Sequence, residues 1–574
     1  MSSYSIGVSA LAAAQAGLLT AEHNISNVNT PGFHRQQIVQ SSNIPQYTGV
    51  GFLGQGAHVE TVKRLYNQVL DGQVLQAQTQ SSQLESYYAQ ITQLDNMLAD
   101  PNAGVSPALQ EFFNGVQDVA ANPASVPSRQ AMLSGAQTMV ARFQTISQRF
   151  TEIRDGVNSE VRSSVGAINS FAQQIASLNQ QIGVTQGATG SLQSANDLLD
   201  QRDQLIGELN QVIKVSTVKQ DDGSLNVFIG NGQLLVLGAQ SFAMGVATSP
   251  EDPERVDVGV SFGGSTILLP KGSLTGGTLG GLLAFRDEAL DPSQNSLGRV
   301  AIGLAQTFND QHQLGMDLNG ALGGNFFNAL APKIINNASN SSTSALTVSF
   351  SNVGQLTTSD YRLTVGAGPV STLTRLSDNT VMFSGATLPQ TVDGLTFSAM
   401  TAVAGDSFLI KPTINGARDI SVKLTDTSAI AAAAPIKTNA TLSNTGSGKI
   451  SAGSVVPPPN ANLQHGVTIA FIDATHFSVT DTTSATVLAA SVVYDPAAGA
   501  TLAYNGWTAQ LTGSPKALDT FTVGSNVGGK ADNRNALLLA GLQTQNTLAG
   551  ATTSYQGAYS QLVSFVGNKT REVE

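Results

Sequence analysis

The sequence contains no cysteine among its 574 residues. That absence excludes a disulfide framework, a thiolate nucleophile, thiolate-ligated zinc and iron–sulfur clusters. Packing and hydrogen bonding must therefore supply the stability. A chain of this length exceeds the usual size of one hydrophobic core, so we expect about two to four domains.

Charge is also scarce. Asp, Glu, Lys and Arg make up 12% of the chain, which is about half of the usual share, and the net charge is −11. Nucleic-acid binding depends on clustered Lys and Arg, and the sequence has no such cluster. We therefore expect no nucleic acid among the partners.

The N-terminal residues lack the features of a targeting segment. Residues 1–28 contain no Lys or Arg, and their apolar stretch is short, rich in alanine and interrupted by Gln15. A Sec signal requires a basic start and a continuous apolar middle, and a membrane span requires about 20 apolar residues. We expect no membrane insertion, and either residence in the cell or export without a signal peptide.

Patterns typical of catalysis and metal binding are missing as well. The six histidines are scattered without metal-ligand spacing. The glycines of residues 49–54 have the spacing of a dinucleotide fingerprint, but the strand-like alternation after them favours a turn. Asp200, Arg202 and Asp203 could form a carboxylate site, although solvated charge on a helix is the favoured interpretation. We predict no catalytic residue, no cofactor and no metal, and hence no enzyme.

Helical periodicity is abundant, beginning near the N-terminus. Apolar residues there recur at alternating steps of three and four, as on the a/d seam of a coiled coil. This first seam consists of Leu11, Ala14, Leu18, Ala21, Ile25 and Val28. Pro31 cannot continue a helix and Gly32 permits a turn, so the helix should end near Val28 or Asn29. Extended segments should follow at 34–40 and 57–66.

Burial of the first seam offers on the order of 10 kcal/mol. Ordering about 25 backbone residues costs roughly 1–2 kcal/mol each. The helix should therefore stay loose until several partners enclose it, and within the chain only the C-terminal helix could be a partner. The alternative, that the helix packs on the core of its own domain, remains open.

Two further seams predict long helices. The second seam consists of Leu84, Tyr87, Ile91, Leu94 and Leu98. The third seam consists of Phe143, Ile146, Phe150, Ile153, Val157, Val161, Val165, Ile168, Phe171, Ile175, Leu178 and Ile182. Few compact enzymes need a helix of about 60 Å, whereas rods do.

The remaining segments predict a small β element followed by more helix. Residues 198–205 should be helical, and the hairpin strands after them should lie at 215–219, 225–229 and 234–237. Helix should return at 282–288. A further helix should begin at Asp291 and Pro292, as its N-cap and first-turn proline.

Residues 343–527 have the short strands and turn residues of a β-sandwich or barrel. Within them, residues 392–412 match 504–524, which indicates two related β domains in tandem. The chain should end in helices at 533–550 and 559–574, and it stops at Glu574 in mid-pattern.

Several of these stretches resemble known sequences. The segment ending in Asn-Thr-Pro-Gly-Phe at residues 29–33 resembles the assembly motif shared by flagellar axial proteins, meaning the rod, hook and hook-associated families. Further stretches at 198–205, 280–301, 308–320, 532–543 and 553–572 resemble the family of the first hook-associated protein. Together they span the chain from end to end.

The resemblance implies a structural subunit that is exported unfolded through the flagellar type III apparatus with an export chaperone. It implies assembly as a ring between hook and filament. The expected partners are other copies, hook protein, and the second junction protein or filament subunits. The N-terminal helix would pair with a C-terminal helix in an inner tube, and the β domains would face outward. The family ends in a further helical segment, which is absent after Glu574.

The expected assembly interface combines the first seam with the Asn-rich break. Its proposed residues are Leu11, Leu18, Ile25, Val28, Asn24, Asn27, Asn29, Thr30, Pro31, Gly32 and Phe33. The asparagine amides should bond peptide groups that the turn leaves free. Asn24 and Asn27 could also face a neighbouring subunit.

The predicted fold class is multidomain α+β. N- and C-terminal parts should form a long-helix or coiled-coil rod with inserted β-rich domains. The predicted domains are an assembly segment at 1–65, a rod of 66–342 with 528–574 that carries a β element at 214–272, and β domains at 343–430 and 431–527.

The alternative function is a carbohydrate-binding or enzymatic module in the β domains. Trp507, the only tryptophan, would be its stacking platform. A core position on a strand is the favoured interpretation of this residue.

Overall fold

The computed structural model describes residues 3–100, 104–188, 195–368 and 370–574. The helices are α1 (Ser3–Ser26), α2 (Gln68–Leu98), α3 (Val105–Ala121), α4 (Val126–Ala188), α5 (Asn196–Val212), α6 (Gly277–Phe285), α7 (Asp291–Gln313), α8 (Gly416–Asp419), α9 (Arg534–Gly541) and α10 (Tyr555–Val573). A π-helical turn occupies Arg286–Leu290, and short 3-10 turns occupy Val353–Gln355 and Thr427–Ala429.

The strands before α6 are β1 (Gln36–Ser42), β2 (Gln46–Tyr47), β3 (Phe52–Leu53), β4 (Ala57–Arg64), β5 (Val215–Lys219), β6 (Leu225–Ile229), β7 (Gln233–Leu237), β8 (Gln240–Ser241), β9 (Met244–Thr248), β10 (Val256–Phe262) and β11 (Ser265–Leu268). Those after α7 are β12 (Lys333–Asn336), β13 (Ala345–Phe350), β14 (Tyr361–Val365), β15 (Ser371–Arg375), β16 (Thr380–Ala386), β17 (Gln390–Val392), β18 (Leu395–Thr401), β19 (Ser407–Lys411), β20 (Ile436–Ala440), β21 (Lys449–Ile450), β22 (Ser454–Val455), β23 (Val467–Phe471), β24 (His476–Asp481), β25 (Thr486–Val493), β26 (Ala500–Tyr504), β27 (Trp507–Thr512) and β28 (Thr520–Ser525).

These elements confirm the α+β fold class, with long helices and antiparallel β domains. The chain divides into two compact units. Unit 1 contains 1–93, 152–290 and 569–574, and unit 2 contains 94–151 and 291–568.

Unit 1 contains the N-terminal helix and small antiparallel sheets. Strands β1 and β4 pair beside α1, as the extended segments predicted, and β2 and β3 form a hairpin between them. The predicted β element is a four-stranded sheet in the order β5-β6-β7-β8, followed by a three-stranded sheet in the order β11-β10-β9.

Three asparagines on α4 hold this β element. The Asn169 side chain donates to the Met244 carbonyl (2.9 Å) and accepts from the Met244 amide (2.7 Å). Asn158 bonds the backbone at 254–256 in the same two-way manner, and Asn179 bonds Leu225. Because the asparagines lie about three turns apart, they share one face of α4.

The third seam is confirmed on α4, which has 63 residues. Ten of its twelve predicted positions are buried, and Ile153 and Phe171 are half-buried. A helix of this length derives its stability mainly from such packing. The second seam lies on α2, where Leu84 is 41% exposed and the other four residues are buried.

Unit 2 has an aromatic core that includes a helix the sequence did not predict. Helix α3 contributes Phe112, which packs against Phe113, Phe308, Phe326 and Phe327 with ring centroids about 5–6 Å apart, and Phe113, which stacks on Tyr555. Its apolar stripe has two residues per turn, so it is wider than the seams that identified the other helices.

The two matched segments adopt the same topology. One five-stranded sheet has the order β12-β19-β14-β15-β16, and the other has β20-β28-β23-β24-β25. Each matched segment begins with a turn that has a positive φ, at Asp393 or Asn505, and leads into a strand. Asp406 and Asp519 hold equivalent loops by accepting backbone N–H groups.

Helix α7 begins at Asp291, as predicted, but a π-helical turn at Arg286–Leu290 directly precedes it, so Asp291 does not follow a non-helical segment as an N-cap would. One predicted helix boundary is wrong. The stretch predicted at 533–550 is helical only to Gly541. Beyond it, residues 542–544 form turns, and Ala549 has a positive φ that is incompatible with a continued helix.

Candidate assembly interface

Helix α1 presents the first seam to solvent. Leu11, Leu18, Ile25 and Val28 are 71–74% exposed.

Helix α1 is also long enough and apolar enough to cross a membrane by length and composition, with a mean hydropathy of 1.3 over its most apolar window. This corrects our expectation that the segment is too short and too interrupted. Only 6% of that window is buried.

The opposite face of α1 packs on β1 and β4. Ala13 is buried at its centre, and a Cβ on Gly17 would lie 3.4 Å from Ile38 Cδ1. Small side chains let the helix approach the strands closely. We expected only the C-terminal helix to partner α1 within the chain, and this was wrong because small residues carry little hydrophobic signal in the sequence.

The Asn-rich break follows α1, which ends at Ser26, two residues earlier than the nearer predicted boundary. The Asn27 side chain donates to the His23 carbonyl (3.0 Å) and accepts from the Thr30 hydroxyl (3.3 Å). The Phe33 amide donates to the Thr30 carbonyl (3.2 Å). The Asn27 side chain therefore bonds a peptide carbonyl as predicted, although that carbonyl is not free, because it also accepts from the Asn27 backbone amide (3.1 Å).

Asn24 makes a two-way bond to the start of β1. Its side chain donates to the Gln36 carbonyl and accepts from the Gln36 amide, both at 2.8 Å. The side-chain amide thus makes the same pair of hydrogen bonds to the backbone that a neighbouring strand would make. It connects the last turn of α1 to the strand beyond the break. The Asn24 side chain therefore bonds within its own chain.

The other residues of the break contact α5 or solvent. Gly32 has φ +76°, and a Cβ there would lie 2.8 Å from Gln204 Cβ on α5. Phe33 packs edge-on against the His23 ring, with centroids 5.5 Å apart. Asn29, Thr30 and Pro31 are exposed.

Three carboxylates on α5 bind this region. Asp197 accepts from Gln36 Nε2 (2.8 Å). Asp200 accepts from the His34 amide (3.0 Å), lies 2.8 Å from His34 Nδ1, and accepts from Arg64 Nη1 (2.9 Å). Asp203 pairs with the same guanidinium nitrogen at 2.6 Å.

The favoured interpretation of these charges as solvated was wrong. Asp200 is 5% exposed and Arg202 is 2% exposed. Arg202 donates to Asn179 Oδ1 and to the Gly223 carbonyl. The partners lie far away in the chain, so helical spacing alone could not reveal them.

Burial and pairing compete in this cluster. Burial raises the pKa of Asp203 above its ordinary value, although Arg64 opposes the shift. Burial disfavours the charge of Arg64, but Asp203 and Asp200 together raise its pKa. Burial lowers the pKa of Arg202. The Arg64 guanidinium also lies 4.4 Å from the Tyr66 ring centre, a cation–π contact.

The other candidate residues lie in a turn or in a hydrophobic core. The glycines of residues 49–54 lie in the β2–β3 hairpin, as the turn interpretation predicted. Trp507 is 1% exposed and belongs to the core of its β domain, so it offers no stacking surface. In the described part of the chain, no three His, Asp or Glu residues are grouped so as to hold a metal ion.

Comparison with known proteins identifies the chain's relatives. The family model for the FlgK helical domain matches residues 91–327, and that for the D2-like domain of flagellar hook-associated protein 1 matches 335–412. Flagellar hook-associated protein 1 of Salmonella typhimurium is 36% identical over 435 residues, which cover 75% of this chain and 78% of that protein. The Escherichia coli K12 protein is 36% identical over 431 residues, covering 74% and 78%.

A solved structure agrees with these sequence matches. The flagellar hook junction protein FlgK from Burkholderia pseudomallei has a TM-score of 0.79 and 36% identity, and the match covers 87% of this chain and 96% of that one. The class is therefore that of structural proteins of the bacterial flagellum. Within that class, the chain belongs to the flagellar hook-associated protein 1 (FlgK) family, and it is a structural protein of the hook–filament junction. This confirms the family resemblance.

Proposed function

We propose that the chain joins hook to filament by assembling as a ring through its N-terminal segment. The first seam contacts neighbouring subunits, and Asn27 with residues 29–33 shapes the turn that directs the chain away from α1. One observation carries this proposal: the large apolar side chains of the first seam, three on α1 and Val28 just beyond its end, are more than 70% exposed, while the opposite face of α1 packs on β1 and β4.

We further propose that the chain reaches this position unfolded, through the flagellar type III apparatus and with an export chaperone, and acts outside the cell. Support comes from the absence of cysteine and the low share of charged residues. Hook protein would adjoin one side of the ring, and the second junction protein or filament subunits the other.

The domain division serves this role. An assembly segment at 1–65 lies at the ring, a rod of 66–342 and 528–574 carries it, and β domains at 343–430 and 431–527 face outward. Trp507 is enclosed by the core of its own β domain, so it does not support the carbohydrate-binding or enzymatic alternative.

The test is a pair of matched Leu→Asp variants in a strain that lacks the chromosomal copy. Leu18→Asp places a charge on the first seam, and Leu442→Asp places the same charge on a fully exposed β-domain turn. We expect Leu18→Asp, like deletion of residues 1–35, to abolish filament growth beyond the hook. Leu442→Asp should support normal motility. Normal motility with Leu18→Asp would refute the proposal.

A further inference from the structure

Three of the carboxylates of α5 form a row that faces the N-terminal segment. Asp197, Asp200 and Asp203 are spaced by three residues, so they follow one side of the helix. We call these three residues the α5 row. The row lies in and directly before the 198–205 stretch. This stretch carries part of the family resemblance, but the sequence predicted no role for it.

Each member of the α5 row holds a different part of the segment. Asp197 lies 3.3 Å from His23 Nε2 on α1 and accepts from Gln36 in β1. Asp200 accepts from the backbone of His34, directly after the break. Asp200 and Asp203 share Arg64, the last residue of β4.

Neighbouring contacts reinforce the same attachment. Asn196 donates to the Val62 carbonyl of β4 at 2.9 Å and to Gln36 Oε1 at 3.3 Å. Gln204 packs against Gly32, where a side chain would not fit. The end of α1, the break and both strands of the β1–β4 pair are thus all attached to one helix.

Such an attachment fixes register. Apolar contacts tolerate sliding, whereas each directional hydrogen bond to a buried carboxylate is satisfied in one arrangement only. A shift of one residue in β1 or β4 would separate buried charges from their partners.

We propose that the α5 row is a positioning device that sets the direction in which α1 presents the first seam, so that assembly depends on residues more than 160 positions away from the seam. This inference rests on the proposed function, and it adds the residues that orient the assembling surface. Asp197, Asp200, Asp203 and Arg64 are positioning residues, because in this proposal they act by holding the N-terminal segment.

The test uses the full chain with Asp200→Asn, Arg64→Gln and Arg64→Lys. Asp221→Asn, which alters an exposed carboxylate of the same unit, is the matched control. Hydrogen exchange of the isolated protein reports docking. Filament completion in the strain lacking the chromosomal copy reports assembly.

We expect Asp200→Asn and Arg64→Gln to speed exchange at 33–36 and 57–64 by at least about tenfold. Exchange in β6 and β7 should stay unchanged, which shows that unit 1 remains folded. Both variants should impair filament completion, and Arg64→Lys, which keeps the charge, should restore part of both readouts. Asp221→Asn should alter neither.

Two outcomes would overturn the proposal. One is unchanged exchange at 33–36 and 57–64, and the other is faster exchange with normal filament completion. Neither outcome touches the proposed function, whose own failure would be normal assembly by Leu18→Asp.

Discussion

At the scale of single residues, Gly32 shows why the break contains glycine. It needs a positive φ, and it also needs the absence of a side chain, because Gln204 lies where a Cβ would be. Gly49 shares the positive φ (+85°) but has open space around it. A comparison of the two glycines therefore distinguishes the cost of a positive φ from the cost of a side-chain clash.

We predict that Gly49→Ala costs about 1 kcal/mol, the usual penalty for a left-handed backbone. Gly32→Ala should cost about 2–3 kcal/mol, because the clash with Gln204 adds to that strain. The measurement is the opening free energy of the Phe33, His34 and Gln36 amides from hydrogen exchange. Equal effects of both substitutions on these amides would contradict the packing explanation.

A second residue, His312, makes the stability of unit 2 depend on pH. Its ring is fully buried, Nδ1 donates to the Gly324 carbonyl (2.7 Å), and Nε2 accepts from the Ala431 amide (2.9 Å). The bond from Ala431 requires the neutral ring, because a protonated Nε2 cannot accept, whereas Nδ1 can donate in either state. Burial lowers the pKa of His312 to about 4 from an unfolded value of about 6.5.

Because the folded pKa is depressed for a base, the stabilisation is complete above about pH 6.5 and declines as the pH falls towards about 4. The loss amounts to about 3 kcal/mol. We predict that the melting temperature of His312→Gln, although lower than that of the wild type at pH 7.5, decreases less than that of the wild type between pH 7.5 and pH 4.5. The exposed-histidine control His58→Gln should follow the wild type. An unchanged acid sensitivity in His312→Gln would assign the effect to other groups.

At the scale of elements, α4 combines two patterns, and the sequence revealed only one of them. The apolar seam recurs every three or four residues, so its burial could be predicted. Asn158, Asn169 and Asn179 recur about every three turns, but an isolated polar residue gives no sign that it bonds a distant strand. The same limit explains the α5 row, whose partners lie about 140 to 170 residues earlier.

The α4 asparagines yield a prediction for the β element. Asn179 is 2% exposed, and it serves the Leu225 backbone, the Gly238 carbonyl and Arg202. Asn179→Leu would leave these groups buried without their partner, at a cost of about 2–4 kcal/mol. Hydrogen exchange in β6 and β7 should therefore accelerate. Gln180→Leu, on the exposed face of α4, should leave that exchange unchanged. Unchanged exchange in Asn179→Leu as well would show that the α4 asparagines do not hold the β element.

At the scale of the whole molecule, the sequence predicted the fold class, the three seams, the hairpins of the β element and the family. Periodicity and turn residues are local signals, and these features depend on local signals. Helix α3, the π-helical turn before Pro292 and the docked face of α1 depend on what surrounds them. The docked face in particular consists of small and polar residues such as Ala13, Gly17 and Asn24, which become an interface only when β1 and β4 supply the other side.

That division of α1 into a docked face and a free face has a consequence for association. Burying the first seam offers on the order of 10 kcal/mol, whereas association costs about 4–15 kcal/mol in lost freedom. A single contact between two copies is therefore weak, while a closed ring gives every copy two neighbours. Stable assembly should thus need the ring rather than a dimer.

We accordingly predict that the purified chain sediments as a monomer at micromolar concentration and self-associates only as the concentration approaches about 0.1–1 mM. The double variant Leu11→Asp with Leu18→Asp should remain monomeric throughout that range, because charges on the first seam resist burial. Leu442→Asp should associate as the wild type does. Association that persists in the double variant would place the contact on another surface, and the first seam would lose its role between copies.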